Sequence, residues 1–136
     1  MYALELPIKI SKDSREPIYH QIVNQFKALI AGGHLTTGTP LPSIRALSKD
    51  LEISIITTRR AYQDLEVQGF IQTLQGKGTF VAELADDLKQ EVKVSSVHKI
   101  MENAIETALN YDYTLEQVKD IFLEILHTYP KGKGDH

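Results

Sequence analysis

The sequence predicts a mainly α-helical protein with a small β-hairpin. Two short helical patterns joined by a tight turn lie within residues 41–68, and two β-prone runs, 70–74 and 79–82, follow them around Gly76-Lys77-Gly78. From residue 83 to residue 130 the apolar positions recur at helical spacing. The first two observations describe an N-terminal winged helix-turn-helix, a shape that fits the grooves of duplex DNA. The third adds a C-terminal segment of two helices.

The composition fits one moderate domain, or a small domain with an oligomerisation segment. The chain has 136 residues, of which 42% are hydrophobic, and its lack of cysteine excludes disulfides and thiolate chemistry. No basic N-terminal region precedes a long apolar run, and no stretch approaches the roughly 20 apolar residues of a membrane helix. We therefore expect a soluble, cytoplasmic protein without a membrane partner.

The charge is distributed unequally along the chain, although the net charge is −3. Residues 1–82 contain nine Lys/Arg and seven Asp/Glu, which gives 9 − 7 = +2, whereas residues 83–136 contain six and eleven, which gives 6 − 11 = −5. Because a DNA-binding surface is local, the sign of the winged half matters more than the total. The charge of the N-terminal half is therefore compatible with DNA binding, and the prediction of DNA binding rests on the order of the helices and the hairpin.

A core helix is predicted from Glu16-Pro17 to Gly32-Gly33. Proline suits the first turn of a helix, because the N–H that it lacks has no partner there. Before this helix every second residue from Leu4 to Ile10 is apolar, which fits a weak strand or an arm on a neighbouring surface. Residues 34–40 are rich in turn formers and predict a loop. The apolar stripe of the helix is Ile18, Ile22, Val23, Phe26, Leu29 and Ile30.

Each helix of the central motif is preceded by a residue suited to capping. Ser43 can cap a first helix that ends at Leu51, and Ser54 can cap a second helix over Ile55–Gln68. Gly69 ends the second helix, since a residue at that point is expected to need a positive φ. The core face of the second helix is predicted to be Ala61, Tyr62 and Leu65.

The C-terminal part predicts two amphipathic helices with a break at residues 110–113. Thr114 and Gln117 have the spacing of a capping box at the start of the second helix, and Pro130 ends it. Two such helices cannot bury both apolar stripes against each other, so we expect them to pair with a second copy in a two-fold dimer; packing back on the N-terminal domain is the alternative. The predicted dimerisation residues are Val97, Ile100, Met101, Ala104, Ile105, Ala108, Leu109, Val118, Ile121, Phe122, Ile125 and Leu126.

Three segments follow from these patterns. Residues 1–82 form a winged helix-turn-helix domain with an N-terminal arm, and residues 83–130 form the helical dimerisation segment. Residues 131–136 form a polar tail that is expected to be disordered.

Four motifs in order resemble the DNA-binding domain of the GntR family of bacterial transcriptional regulators. They are PIYHQIV at 17–23, LPSIRALSKDL at 41–51, RAYQDLEVQG at 60–69 and GKGTFV at 76–81. The resemblance covers about half the chain, and four motifs in the right order make it specific. The short C-terminal part is similar to the YtrA-type branch, whose members use it for dimerisation and often control transporter operons.

The resemblance implies particular DNA contacts in the helix-turn-helix and in the wing. Arg45 is similar to the family arginine that reaches DNA, and Gly76 with Lys77 lies where the wing tip meets the minor groove. Relatives usually have Arg at the position of Ile55 and a polar residue at that of Ile56, and Ile55 can instead touch a thymine methyl. With Arg60 added from its position on the second helix, the candidate DNA-binding residues are Arg45, Ser54, Ile55, Ile56, Thr57, Arg59, Arg60, Gly76 and Lys77.

Arg60 has two interpretations, a phosphate contact or a structural ion pair with Asp64 at i+4. Tyr111 and Tyr113, in the break between the last two helices, could line a pocket for an unknown small-molecule effector or pack at an interface. The five histidines lack the spacing of metal ligands, and no catalytic or phosphate-cradling pattern is present in the sequence. We therefore expect no metal, no cofactor and no enzyme activity.

The function predicted from the sequence is sequence-specific transcriptional regulation, as a repressor, by a homodimer on a pseudo-palindromic duplex DNA operator. The alternative is a winged-helix module that binds another protein and not DNA. The negative net charge and the aliphatic residue at Ile55 keep this alternative open.

Overall fold

The computed structural model describes residues 6–130, so that Leu4 and the predicted polar tail at 131–136 lie outside the described residues. The fold is mainly helical with one small antiparallel sheet, which confirms the predicted fold class. Along the chain the elements are α1 (Ile18–Ala31), β1 (Pro40–Leu41), α2 (Ile44–Leu51), α3 (Ile55–Val67), β2 (Ile71–Leu74), β3 (Gly78–Val81), α4 (Asp86–Asn110) and α5 (Leu115–Thr128).

The chain divides into two compact units, Met1–Lys93 and Val94–His136, and helix α4 begins in the first and continues in the second. The first unit extends past residue 82, the predicted end of the N-terminal domain. Leu84 belongs to its hydrophobic core, and Val92 packs against that core. The domain boundaries expected from the sequence remain predictions.

The core of the first unit is built from α1, α3 and the sheet. The side chains of Phe26, Leu65 and Val81 are almost completely buried. The rings of Phe26 and Tyr62 meet edge to face, with 5.9 Å between their centroids. Burial of each large apolar side chain stabilises the fold by about 1.5–3 kcal/mol. This core fixes α3 on the domain and leaves its other faces free.

The segment before α1 is an arm without regular secondary structure at residues 6–11, held by two glutamine side chains of that helix. The buried Gln21 amide donates to the Ser11 carbonyl at 2.9 Å, and its oxygen accepts from the Ser11 N–H at 2.9 Å. Gln25 binds both backbone groups of Lys9 in the same way, at 2.7 and 2.9 Å. Ile8 is buried in the core. Because these amides satisfy the backbone in place of a neighbouring strand, residues 6–10 do not form a β-strand.

The sheet contains a third strand where the sequence predicts only a loop. The strand order is β1-β3-β2, and all pairs are antiparallel. In β1, Pro40 lies opposite Phe80 and Leu41 opposite Thr79. A strand of two residues is too short to show alternation, and proline is tolerated at a sheet edge because it need not donate to a neighbour. The predicted loop therefore ends at Thr39.

Candidate nucleic-acid interface

Two serine caps fix the beginnings of the helices in the helix-turn-helix, as the sequence predicts. The Ser43 hydroxyl accepts from the Ala46 N–H at 3.0 Å, and the Ser54 hydroxyl accepts from the Thr57 N–H at 3.1 Å. Each such cap contributes about 1 kcal/mol to helix stability. The helix ends at Val67, one residue before the predicted end, with Gln68 as its C-cap, and Gly69 follows with the predicted positive φ, 86°. These local signals determine where α3 begins and ends.

A buried pair of hydroxyl groups joins α2 to α3. Ser48 Oγ donates to Thr58 Oγ1 at 2.8 Å, and both residues are buried. Ser48 Oγ also lies 2.7 Å from the Ile44 carbonyl, so its single proton is shared between two acceptors. Thr58 therefore belongs to the core face of α3, which the sequence pattern does not indicate. The predicted members of that face, Ala61, Tyr62 and Leu65, are all buried.

The first turn of α3 presents two aliphatic side chains to solvent. Ile56 is 76% exposed and Ile55 is 38% exposed. Thr57 is half-buried, and its hydroxyl lies 2.9 Å from that of Ser54, so the polar groups of the turn are bound to each other. Arg45, in the first turn of α2, is exposed. The structure thus leaves these predicted contact residues accessible to a groove, apart from the partly covered Thr57.

The wing ends in a tight turn that only glycine accommodates easily. The Lys77 N–H donates to the Leu74 carbonyl at 2.9 Å, while Gly76 and Gly78 have φ of 79° and 120°. Positive φ strains residues with a Cβ, so the two glycines are required by the backbone and not by lack of space. Lys77 is exposed at the tip between them.

A cleft opens between α3, the start of α2 and the wing. Arg59 lies on its α3 side, and Glu66, two turns further along, fixes the wing by accepting from the Thr73 N–H at 3.3 Å. The sequence pattern does not single out the wing threonines or the acidic residue, although Arg59, Gln63 and Glu66 have helical spacing that places them on one side of α3. The lining residues are Leu41, Ser43, Ile44, Arg59, Tyr62, Gln63, Glu66, Thr73, Gly78 and Thr79.

Arg60 adopts an arrangement that the sequence does not predict. Its guanidinium carbon lies 3.8 Å from the centroid of the Tyr19 ring, and Nη2 donates to the Tyr19 hydroxyl at 3.2 Å. Within the described part of the chain, Arg60 forms no ion pair with Asp64. Of the two interpretations that the sequence leaves open for Arg60, the ion pair is therefore not formed, and the guanidinium is stacked on an aromatic ring of α1.

The second unit has a helix start of the predicted kind and an exposed apolar surface. The Thr114 hydroxyl accepts from the Gln117 N–H at 3.1 Å, and the Gln117 side chain accepts from the Thr114 N–H at 2.9 Å, which confirms the capping box. Among residues 94–130 only Val118 is buried. The large apolar side chains left exposed are Val94, Val97, Ile100, Met101, Leu109, Tyr111, Tyr113, Leu115, Ile121, Leu123, Ile125, Leu126 and Tyr129.

Two further kinds of feature are absent from the part of the chain that the structure describes. No helix there is both long enough and apolar enough to cross a membrane. No group of three His, Cys, Asp or Glu side chains in the same residues is gathered so that it could hold a metal ion.

Comparison with known proteins identifies the family. The sequence model described as "Bacterial regulatory proteins, gntR family" matches residues 18–81. The HTH-type transcriptional repressor YtrA of Bacillus subtilis (strain 168) is 33% identical over 126 residues, which are 93% of this chain and 97% of that relative. This chain belongs to the GntR family. It is therefore a DNA-binding transcriptional regulator and not an enzyme.

Solved structures of GntR regulators share the fold. A GntR family transcriptional regulator from Listeria monocytogenes is 28% identical with a TM-score of 0.69, covering 82% of this chain and 97% of that one. YtrA from Sulfolobus acidocaldarius, a GntR-family transcription factor, is 34% identical with a TM-score of 0.55, covering 73% and 97%. The resemblance to YtrA-type regulators predicted from the four motifs and the short C-terminal part is confirmed.

Proposed function

We propose that the protein is a homodimeric repressor that recognises a pseudo-palindromic operator, with one recognition helix and one wing on each half-site. The observation that carries the proposal is the exposed first turn of α3, which is flanked in the same unit by Arg45 and by the glycine-bounded wing tip at Lys77. A helix of this kind fits the major groove, and a basic loop on glycines can approach the minor groove closely.

Base recognition in this proposal depends on apolar as well as polar contacts. Ile55 and Ile56 are exposed at the start of α3, where a guanine-binding arginine would otherwise reach base edges. The thymine methyl group is the apolar feature of the major groove, so we expect thymines in the operator opposite this turn. Arg45 and Arg59 supply the polar contacts, and Thr57 and Ser54 bind phosphates beside the helix N-terminus.

A second copy of the chain is the proposed partner of α4 and α5. Single exposed apolar residues are normal on a protein surface, but α4 and α5 carry many of them at short intervals along the sequence. Large apolar patches on soluble proteins mark interaction sites. A two-fold dimer covers the same patch on both chains and duplicates the DNA-binding unit. The small residues Ala104 and Ala108 allow two helices to approach closely. Among the large predicted dimerisation residues, Ile100 and Leu126 are the most exposed, at 69% and 70%, and so gain most from such an interface.

The regulated genes and the signal form the last part of the proposal. A transporter operon as target rests on the resemblance to YtrA-type regulators alone. An unknown small-molecule effector is supported by the exposed rings of Tyr111 and Tyr113 at the turn between α4 and α5.

A binding titration tests the proposal. The probe is a duplex recovered by this protein from a random-sequence pool, and a scrambled duplex of the same length is the reference. We expect Arg45→Ala to weaken binding to the selected duplex by about 1–3 kcal/mol, the value of a direct base contact. Lys99→Ala, which removes the same charge from α4, should leave the affinity unchanged. Equal binding to both duplexes by the wild type, or no binding at all, would instead favour a protein-binding module.

A further inference from the structure

We propose that Tyr19 is a positioning residue for DNA binding, which holds the Arg60 guanidinium ready to contact a backbone phosphate beside the recognition helix. The inference rests on the proposed function, because it concerns how the same surface is organised. It assigns a role to a residue outside the helix-turn-helix and the wing.

The contact between the two residues is made by both the ring and the hydroxyl of Tyr19. The guanidinium carbon of Arg60 lies 3.8 Å from the ring centroid, and Nη2 donates to the hydroxyl at 3.2 Å. Tyr19 lies in the first turn of α1, is half-buried and packs against the core of the first unit. Arg60 is exposed on α3. The tyrosine is therefore the fixed partner, and the arginine is the side chain that it orders.

The charge of Arg60 is left available by this arrangement. Asp64, one turn along α3, is the carboxylate that the sequence offers, but in residues 6–130 the two do not form an ion pair. A guanidinium has five N–H donors, and the Tyr19 hydroxyl accepts from one of its nitrogens. Stacking on a ring occupies a face of the guanidinium and leaves its edge free, and that edge is the part that matches a phosphate.

The position of Arg60 on α3 suits a phosphate and not a base. Arg60 follows Ile56 by four residues, so both lie on the same side of the helix, with Arg60 one turn further from the N-terminus. Ile56 belongs to the first turn that is proposed to enter the groove, and phosphates border a groove on either side of the bases. Arg59, by contrast, lines the cleft beside the wing. The two neighbouring arginines thus serve different surfaces.

Ordering the arginine in advance favours binding, because a side chain already held in one conformation loses less entropy when it meets its ligand. A cation–π contact at an exposed site is strong enough to bias the conformation and weak enough to let the guanidinium adjust. We therefore expect substitution of Tyr19 to weaken DNA binding only in proteins that retain Arg60.

The test measures the dissociation constant across a series of KCl concentrations for the selected duplex and for a random-sequence duplex. The proteins are wild type, Arg60→Gln, Tyr19→Phe, Tyr19→Ala, the double variant Tyr19→Ala/Arg60→Gln, and Lys99→Gln as a control with the same loss of charge. Urea unfolding of each variant verifies folding, and Tyr19→Leu replaces Tyr19→Ala if the smaller side chain unfolds the domain.

We expect Arg60→Gln to reduce the slope of log affinity against log salt by about 1.8 for the dimer on both duplexes, since each of its two chains loses one phosphate contact worth about 0.9. Lys99→Gln should leave the slope unchanged. Tyr19→Ala should weaken binding by about 2- to 5-fold, as expected for loss of an exposed cation–π contact. Tyr19→Phe, which keeps the ring, should have a smaller effect. In the Arg60→Gln background Tyr19→Ala should have no further effect.

An unchanged salt slope in Arg60→Gln would overturn the inference, since Arg60 would then meet no phosphate. An equal loss from Tyr19→Ala with and without Arg60 would also overturn it, because Tyr19 would then act only on the fold. If the wild type bound neither duplex, the proposed function itself would be wrong, and this inference with it.

Discussion

The Ser48 hydroxyl donates to the Thr58 hydroxyl at 2.8 Å in the buried contact between the two helices of the helix-turn-helix. Both groups are removed from water, and the Thr58 hydroxyl has only the Ser54 carbonyl at 3.4 Å as a further partner, whereas the Ser48 hydroxyl also lies 2.7 Å from the Ile44 carbonyl. The pair sets the position of α3 on α2, and α3 carries the proposed base contacts.

This pair gives a prediction about stability. Ser48→Ala leaves the Thr58 hydroxyl with only the Ser54 carbonyl at 3.4 Å, and we expect a loss of about 1–3 kcal/mol in the free energy of unfolding for a buried group that lacks a good partner. The double variant Ser48→Ala/Thr58→Val removes both hydroxyls and should be more stable than the sum of the single losses implies. Urea unfolding of Ser48→Ala, Thr58→Val and the double variant measures the three free energies of unfolding.

The exposed hydroxyl pair of Thr36 and Thr39, 3.2 Å apart, provides the control. Thr36→Val should change the free energy of unfolding by less than about 0.5 kcal/mol, as for other exposed positions. Strict additivity of the Ser48 and Thr58 variants would show that the two hydroxyls do not depend on each other.

A second prediction concerns the attachment of the wing to α3. Glu66 accepts from the Thr73 N–H at 3.3 Å, so Glu66→Ala should accelerate hydrogen exchange of the Thr73 amide. Glu66→Gln retains an acceptor and should have a much smaller effect. Gln63→Ala, one turn earlier on α3, is the matched control. An unchanged exchange rate at Thr73 in Glu66→Ala would mean that the wing is held by its strand pairing alone.

A third prediction tests the thymine contacts. Replacing a contacted thymine by deoxyuracil in the selected duplex removes one methyl group, and we expect a loss of about 2- to 4-fold in affinity, in line with the burial of one such group. In Ile56→Ala the difference in affinity between the thymine and deoxyuracil duplexes should disappear or become smaller. If both isoleucines share the contact, Ile55→Ala should also make this difference smaller. Full sensitivity to the thymine methyl in the double variant Ile55→Ala/Ile56→Ala would assign the methyl contact to other residues.

A fourth prediction concerns the N-terminal arm. Gln21 is buried and bonds both backbone groups of Ser11, so Gln21→Ala should lower the free energy of unfolding by about 1–3 kcal/mol and expose the arm to protease. Gln25 is less buried and should matter less. Proteolysis at the arm that proceeds at the wild-type rate in Gln21→Ala would show that the apolar contact of Ile8 is sufficient to hold it.

The sequence predicted the features of this structure whose causes are local. Each cap depends on residues three positions apart, as for Ser54 with Thr57 or Thr114 with Gln117. The turn at Gly69 depends on the conformation of one residue. Spacing alone therefore located the helices and the hairpin, and four motifs in order identified the family.

The features that sequence patterns did not predict are contacts between elements distant along the chain. Arg60 and Tyr19 are 41 positions apart, and nothing in either helix indicates that they meet. A serine and a threonine within helices are usually exposed, so only the crossing of α2 and α3 reveals that Ser48 and Thr58 are buried. Strand β1 forms because β3 offers it a free edge. The two residues of β1 have no strand pattern of their own in the sequence.

The most direct test of the central claim is the stoichiometry of the complex between this protein and the selected duplex, measured by sedimentation velocity. A homodimer on a pseudo-palindromic site predicts two chains for each duplex, with a dimer present before DNA is added. Ile100→Lys, which places a charge in the proposed interface, should yield monomers and weaker binding. A single wild-type chain on each duplex, with monomers in its absence, would contradict the account.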